Sequence, residues 1–143
     1  MPYEILEHTA DTRLRITAGS LQELFTEAAC GLYDLMTDIR AIRESTPESG
    51  LQCQTLELAE KNKGELLLHW MRELLYYFSA KRLVFFRFEF ERLTEKTLKV
   101  KAAGTVFDPA RHVAKSEVKA VTYHGFVLSE TSSGWQAEII LDL

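Results

Sequence analysis

Two aspartates far apart in the sequence are the residues whose chemistry combines most readily. Asp11 precedes the alternating segment "TRLRITA", and Asp142 follows the apolar face of "WQAEIIL". If these segments pair as neighbouring strands, the two carboxylates meet at one edge of a sheet. Carboxylates about 4 Å apart repel by roughly 1–4 kcal/mol, depending on the effective dielectric. A divalent cation with a preference for oxygen ligands would relieve that repulsion. The alternative is that both side chains are ordinary exposed carboxylates.

Other catalytic signatures are missing from the sequence. It contains no glycine-rich phosphate loop, no GxSxG elbow, no HExxH and no pair of CxxC motifs. Its four histidines, His8, His69, His112 and His124, do not have zinc-finger spacing to a cysteine or to one another. A stand-alone metal-dependent hydrolase therefore remains an alternative only with His8 or His124 as acid or base beside the aspartates.

Composition indicates one globular domain over residues 1–143, with 46% hydrophobic and 27% charged residues. The formal net charge is −4, and lysines and arginines are scattered along the sequence. Since neutralisation of phosphates supplies most non-specific nucleic-acid affinity, tight autonomous binding of RNA or DNA is disfavoured. Cys30 and Cys53 are expected to be buried free thiols. Without a secretion signal or a membrane span, a cytoplasmic location is expected.

Local patterns predict the elements that position the aspartates. Residues 12–18 alternate as a half-buried strand, and Ser20 with Glu23 forms a capping box that opens a helix to about Asp38. Residues 41–50 are predicted to be an exposed loop, and residues 51–58 a strand. Asn62 and Glu65 cap a second helix that continues toward Ala80.

The second helix is apolar on more than one face, which favours burial between a sheet and the first helix; a partner-binding groove is the alternative. From residue 83 onward the apolar period is two, as in successive strands, with Val84, Phe86, Phe88 and Phe90 on one face. The predicted fold is therefore α+β: a single-domain two-layer structure, with two main helices packed on a mixed or antiparallel β-sheet and a β-rich C-terminal half.

Several motifs spread along the sequence resemble the archease family. They are "HTAD" at 8–11, "EAA" at 27–29, "LLLHW" at 66–70, "EVKAVTYHG" at 117–125, and a final aspartate followed by an apolar residue. The resemblance implies a non-catalytic protein cofactor of the RtcB-type, GTP-dependent RNA-splicing ligase. Such a cofactor promotes guanylylation and repeated turnover of the ligase in tRNA splicing and RNA end joining.

The resemblance also implies which residues act. Asp11, Asp142 and Leu143 would bind a divalent metal ion, Ca²⁺ first and Mg²⁺ or Mn²⁺ next, while Lys119 and His8 would serve activation of the partner ligase. The resemblance also implies that the protein contacts RNA only indirectly, through the ligase, and that it does not associate with a membrane. For Lys119 the alternative is a solvated lysine on a strand. Two alternative functions attach to the family resemblance: a chaperone, or a modulator of an RNA-modifying methylase, each using apolar surface such as residues 76–78.

Overall fold

Most of the strands and helices predicted from the sequence are present, and they occur in the predicted order. The computed structural model describes residues 2–7 and 11–143. Its elements are β1 (Tyr3–Glu7), β2 (Asp11–Ala18), α1 (Leu21–Met36), α2 (Ile39–Ser45), a short 3₁₀ helix (Glu48–Gly50), β3 (Gln52–Ala59), α3 (Lys63–Lys81), β4 (Leu83–Leu93), β5 (Thr97–Val106), β6 (Ala120–Thr131) and β7 (Gly134–Asp142).

The strands form two antiparallel sheets. The first sheet has the order β1-β2-β7-β6, and the second has the order β3-β5-β4. Helices α1 and α3 contact each other and strands of both sheets. The described part of the chain therefore places these helices between the sheets, and the core fills the two helix–sheet interfaces.

Helix α1 shows why a helix can occupy this central position. Its buried residues lie around much of its circumference: Leu24, Phe25, Ala28, Ala29, Gly31, Leu32, Tyr33, Leu35 and Met36. A helix that is apolar nearly all round has to be covered on more than one side. Trp70 of α3 is fully buried, and its indole Nε1 donates a hydrogen bond of 2.9 Å to the carbonyl of Phe25. The two helices are thereby joined by both packing and a satisfied polar group.

Both predicted helix starts are confirmed. The side chain of Ser20 accepts a hydrogen bond of 3.1 Å from the backbone N–H of Glu23, and Asn62 accepts one of 2.9 Å from Glu65. Each bond satisfies an N–H group that has no partner within its helix. Arg82 caps the C-terminal end of α3, and its backbone is left-handed with φ 58° and ψ 22°.

The α+β class predicted from the sequence is confirmed, and the layering is more elaborate than expected. The strands divide into two sheets with the main helices between them, because α1 and α3 both carry apolar residues on two sides. The predicted loop at 41–50 is wrong in part: it contains the end of α2 and the 3₁₀ helix. Asp38 caps α2 by accepting a hydrogen bond of 3.1 Å from Ala41, and Ile42 is its one buried residue.

The cysteine prediction is half right. Both thiols are free, and Cys30 is largely buried on α1, but Cys53 is exposed on β3. Cys53 stands opposite Ala103 in the register of β3 and β5, and its neighbours Leu56 and Leu58 further along the strand are the residues that face the core. The alternation of β3 thus turns Cys53 outward.

Candidate functional site

The candidate site lies where the two central strands of the first sheet end. Strands β2 and β7 pair antiparallel, and Asp11 stands directly opposite Asp142. Directly opposite residues in an antiparallel pair project from the same face of the sheet, with Cβ atoms about 4.5–5.5 Å apart. The next pair, Thr12 and Leu141, faces the core and is fully buried. The alternation therefore fixes both carboxylates on the outer face.

A third strand contributes backbone to the same end of the sheet. Ala120 of β6 also stands opposite Asp142, and the N–H of Lys119 donates a hydrogen bond of 2.8 Å to the carbonyl of Asp142. Asp142 is thus held between β2 on one side and β6 on the other. The position of its side chain is set by two ladders of hydrogen bonds rather than by a loose chain segment.

Charge around the carboxylate pair is not neutralised within the described residues. No lysine, arginine or histidine nitrogen in residues 2–7 and 11–143 forms an ion pair with Asp11 or Asp142. The nearest ion-paired cation of β2 is Arg15, which bridges to Glu138 at 3.0 Å and approaches Glu4 at 4.0 Å. Like charges directly opposite each other destabilise a strand pair, so this arrangement favours a bound cation.

The donor set fits a hard cation in type but supplies only two side chains. Within residues 2–7 and 11–143, no group of three histidine, cysteine or acidic side chains is arranged to hold a metal ion. Carboxylate oxygens are the ligands that Ca²⁺, Mg²⁺ and Mn²⁺ prefer, and each ion accepts water and backbone carbonyls as further ligands. Asp11 and Asp142 would therefore supply only part of a coordination shell, which other oxygens would have to complete.

The other residues predicted for the site, Lys119, Leu143 and His8, differ in where they lie relative to the carboxylate pair. Lys119 is exposed and adjoins Asp142 through its backbone, so the structure brings it to the carboxylate pair. Leu143 is half-buried and packs against the core immediately after Asp142. His8 lies outside the described residues.

Two of the other three histidines lie close to local polar groups, and the third, His124, is exposed. In α3, His69 Nδ1 lies 2.9 Å from a carboxylate oxygen of Glu60 and its Nε2 lies 3.9 Å from Glu73. His112 is buried, and its Nδ1 accepts a hydrogen bond of 2.9 Å from the backbone of Asp108. His124 is exposed within the irregular part of β6. His69 and His112 thus each have a polar group close by, but His69 Nδ1 and His112 Nε2 are buried without a hydrogen bond of good geometry.

Sequence patterns missed how the edge of the first sheet is shaped. The pairing of β6 with β7 breaks between Thr122 and Val127, and Gly125 in this bulge has a φ of +73°. Tyr123 projects from the bulge with 72% of its surface exposed. Nearer the candidate site, Arg72 of α3 donates a hydrogen bond of 3.1 Å from Nε to the carbonyl of Val121. The bulge and Arg72 together obstruct pairing of another strand with this edge. The glycine in "YHGF" is the one signal that the sequence offers for the bulge.

This arrangement defines a small α+β protein with two helices between antiparallel sheets and an acidic pair on its central strands. A family model described as the Archease protein family (MTH1598/TM1083) matches residues 3–143. The chain belongs to the archease family. It is 37% identical to protein archease of Methanopyrus kandleri over 146 residues, covering 100% of both chains. It is 32% identical to protein archease of Methanosarcina acetivorans, covering 99% of this chain and 95% of that one.

Solved structures share the fold. The solution structure of protein 1598 of Methanobacterium thermoautotrophicum has a TM-score of 0.73 at 22% identity, with 99% of both chains covered. The crystal structure of an archease from Thermotoga maritima, described as a possible chaperone, has a TM-score of 0.65 at 20% identity and covers 96% of this chain and 94% of that one. Among the described residues, no helix has the length and apolar character needed to span a membrane.

Proposed function

We propose that this protein is a metal-binding, non-catalytic cofactor of an RtcB-type RNA-splicing ligase, promoting GTP-dependent guanylylation and repeated turnover of that enzyme. The observation that carries the proposal is the register of β2 and β7, which sets Asp11 directly opposite Asp142. Membership of the archease family supports the same assignment.

Asp11 and Asp142 would hold the ion, with Leu143 as the third residue that the family resemblance implies. When bound, a divalent ion would supply positive charge that attracts phosphate oxygens. The protein's own contribution is orientation: three adjacent strands fix Asp142, and the outer face carries both carboxylates to the surface. An ion with vacant positions in its coordination shell can be approached there by a partner's phosphate or carboxylate groups.

Lys119 is the proposed activating residue on the partner-facing side. Its backbone is fixed by the 2.8 Å hydrogen bond to Asp142, while its side chain is exposed. A lysine ammonium is a compact charge on a flexible stem, so it can reach an anionic group of the partner without displacing the carboxylate pair. A role for His8 in activating the partner is supported by the family resemblance alone.

A general chaperone, as the Thermotoga relative is described, would need a contiguous exposed apolar surface. The large apolar side chains with substantial exposure in the described residues are Tyr76, Val106, Val113, Tyr123 and Val127. They belong to α3, β5, a connecting loop and β6, so the acidic pair gives the more specific hypothesis.

The test is multiple-turnover RNA ligation by the RtcB-type ligase of the same organism, with and without this protein. We expect Asp11→Asn and Asp142→Asn to reduce the maximal stimulation by about 10- to 100-fold, the scale on which loss of groups supporting a metal ion acts. Glu130→Gln, an exposed carboxylate elsewhere on β6, is the matched control and should stimulate normally. Full stimulation by both aspartate variants would reject the metal-centred mechanism.

A second readout separates the proposed residues from the fold. Lys119→Met should lower stimulation while leaving Ca²⁺ binding by isothermal titration calorimetry unchanged, because the lysine is not a metal ligand. The Asp11→Asn and Asp142→Asn variants should lose both the stimulation of the ligase and the binding of Ca²⁺. Holdase activity that survives loss of Asp11, together with no stimulation of the ligase by the natural protein, would favour the chaperone alternative.

A further inference from the structure

Cationic side chains without carboxylate partners gather along the C-terminal half of α3. Within the described residues, Arg72, Lys81, Arg82 and Lys119 make no ion pair, whereas most cations of the second sheet are bridged to glutamates. The protein as a whole has 21 acidic against 17 basic residues. A local surplus of positive charge on a net-negative protein is therefore a distinct surface feature.

Arg72, Arg82 and Lys119 border two adjoining depressions that share Ser79. One is lined by Arg72, Tyr76 and Lys119, and the other, a cavity of about 420 Å³, is lined by Arg82, Lys115 and Phe78 among others. We call this continuous surface the α3 groove. Its aromatic side chains give it apolar contact area, since Tyr76 is 54% exposed and Phe78 is half-buried.

Helix electrostatics explain only part of this charge. Lys81 and Arg82 stand at the C-terminal end of α3, where the helix dipole favours cations. Arg72 lies more than two turns before that end, and Lys119 belongs to a different segment, so the dipole does not account for them. Lys115 is paired with Asp34 at 3.4 Å and adds little free positive charge. Glu117 is the one acidic side chain among the described residues that line the groove.

The backbone of Arg82 supports a role for its side chain. A residue that ends a helix in the left-handed conformation is most often glycine, because side chains with a Cβ are strained there. Here the position holds an arginine, fixed by a hydrogen bond of 2.9 Å from its N–H to Phe78 and by one of 2.6 Å from the N–H of Phe107 to its carbonyl. The side chain is thus presented at a fixed place over the Phe78 ring, 5.8 Å from its centroid.

We infer that the α3 groove is a docking site for an acidic segment of a partner protein, with aromatic or aliphatic side chains contacting Tyr76 and Phe78. The identification of this partner as the ligase rests on the proposed function. The inference that the groove binds an acidic segment is independent of the proposed function. Charge complementarity selects the occupant. In the metal-free protein, a polynucleotide tracking through the groove would be carried past Lys119 to Asp142 and Asp11, whose charges repel phosphates, whereas a short acidic peptide can end before them.

The first arm of the test needs no ligase. A fluorescently labelled ten-residue peptide of alternating glutamate and leucine is titrated with the protein at two salt concentrations, beside a single-stranded RNA of equal charge. We expect peptide binding that weakens with salt, about tenfold weaker binding by Arg82→Gly, and a change below about twofold for Arg40→Ala, an exposed unpaired cation on α2. Arg82→Gly keeps the left-handed turn without strain, so its melting temperature should not fall.

The second arm measures guanylylation of the ligase against the concentration of this protein. Arg82→Gly should raise the half-saturating concentration about tenfold and leave maximal stimulation unchanged, unlike the aspartate variants. Equal peptide binding by Arg82→Gly and the natural protein, no peptide binding at all, or tighter arginine-dependent binding of the RNA would overturn the inference. If the natural protein fails to stimulate the ligase, the proposed function is rejected. The peptide titration still tests whether the α3 groove binds an acidic segment.

Discussion

The carboxylate pair predicts a stability order that reverses when a metal ion is added. In EDTA at low ionic strength, Asp142→Asn should be more stable than the natural protein, because it removes repulsion from Asp11 directly opposite. For charges about 5 Å apart, the repulsion is about 0.8 kcal/mol at the dielectric of water and about 3 kcal/mol at an effective dielectric of 20. Since Asp142 is exposed, the lower value applies, and we expect a gain of about 1 kcal/mol.

Saturating Ca²⁺ should invert this order. At a free concentration 100 times the dissociation constant, binding to the folded state stabilises the natural protein by about 2.7 kcal/mol. The variant, with one carboxylate removed, should gain far less. The natural protein then becomes the more stable form by about 1.7 kcal/mol, which corresponds to roughly 5 °C in melting temperature for a domain of this size.

The assay is thermal unfolding by circular dichroism in EDTA and in a Ca²⁺ series, with Glu130→Gln as the control for removal of one negative charge. Raising NaCl to 1 M should shrink the difference in EDTA, because screening shortens the Debye length to about 3 Å. An Asp142→Asn variant no more stable than the natural protein in EDTA, with the same Ca²⁺ response, would refute the reasoning that the pair shares an ion.

Two further predictions concern the scaffold and its pH dependence. Gly104→Ala should destabilise the protein by about 3 kcal/mol or more in urea unfolding, since an added Cβ would lie 1.7 Å from the carbonyl oxygen of Val84. Gly19→Ala, whose Cβ would lie 3.7 Å from the carboxylate of Glu23, is its control and should change stability by less than about 0.5 kcal/mol. Burial, reinforced by Glu27, raises the pKa of the Cys30 thiol to about 11. Folding therefore favours the protonated thiol, so stability is retained below pH 8 and falls as the pH rises through 9 toward 11. Cys30→Ala should abolish about 1 kcal/mol of the loss between pH 8 and pH 10, and an unchanged pH slope in urea titrations would contradict this assignment.

The features that could be predicted from the sequence are those written in short windows. Ser20 with Glu23 and Asn62 with Glu65 mark helix starts because a capping bond spans three residues. The strand pairing on which the site depends was also open to prediction. Asp11 begins one alternating strand and Asp142 ends another, so antiparallel pairing in register sets them opposite each other.

The bulge in β4 was not predictable from the alternation of β4 alone, because it depends on the partner strand β5. Alternation predicted Val84, Phe86, Phe88 and Phe90 on one face, yet the register shifts between Phe85 and Arg87. Val84, Phe85 and Phe86 are consequently all buried. The shift occurs beside Gly104, where the Val84 carbonyl comes too close for a Cβ.

Surface features that combine distant segments were missed for a similar reason. Arg72, Arg82 and Lys119 have no common motif, and only folding brings them to one groove. Helix α2 was missed because residues 41–50 have the serine, threonine, proline and glycine content of a loop, and Ile42 is the single residue that this helix buries. One anchoring side chain leaves no periodic pattern to detect.

The order β1-β2-β7-β6 has a consequence for biosynthesis. Strand β2 finds its inner neighbour only in β7, and the contact from Arg15 to Glu138 joins residues 123 positions apart. During translation, the early β1–β2 hairpin must wait with an unpaired inner edge until β7 leaves the ribosome, and such high contact order slows folding. Nascent chains interrupted before β7 would expose two open strand edges to aggregation, so a ligand that bridges β2 and β7 would distinguish finished molecules from incomplete ones.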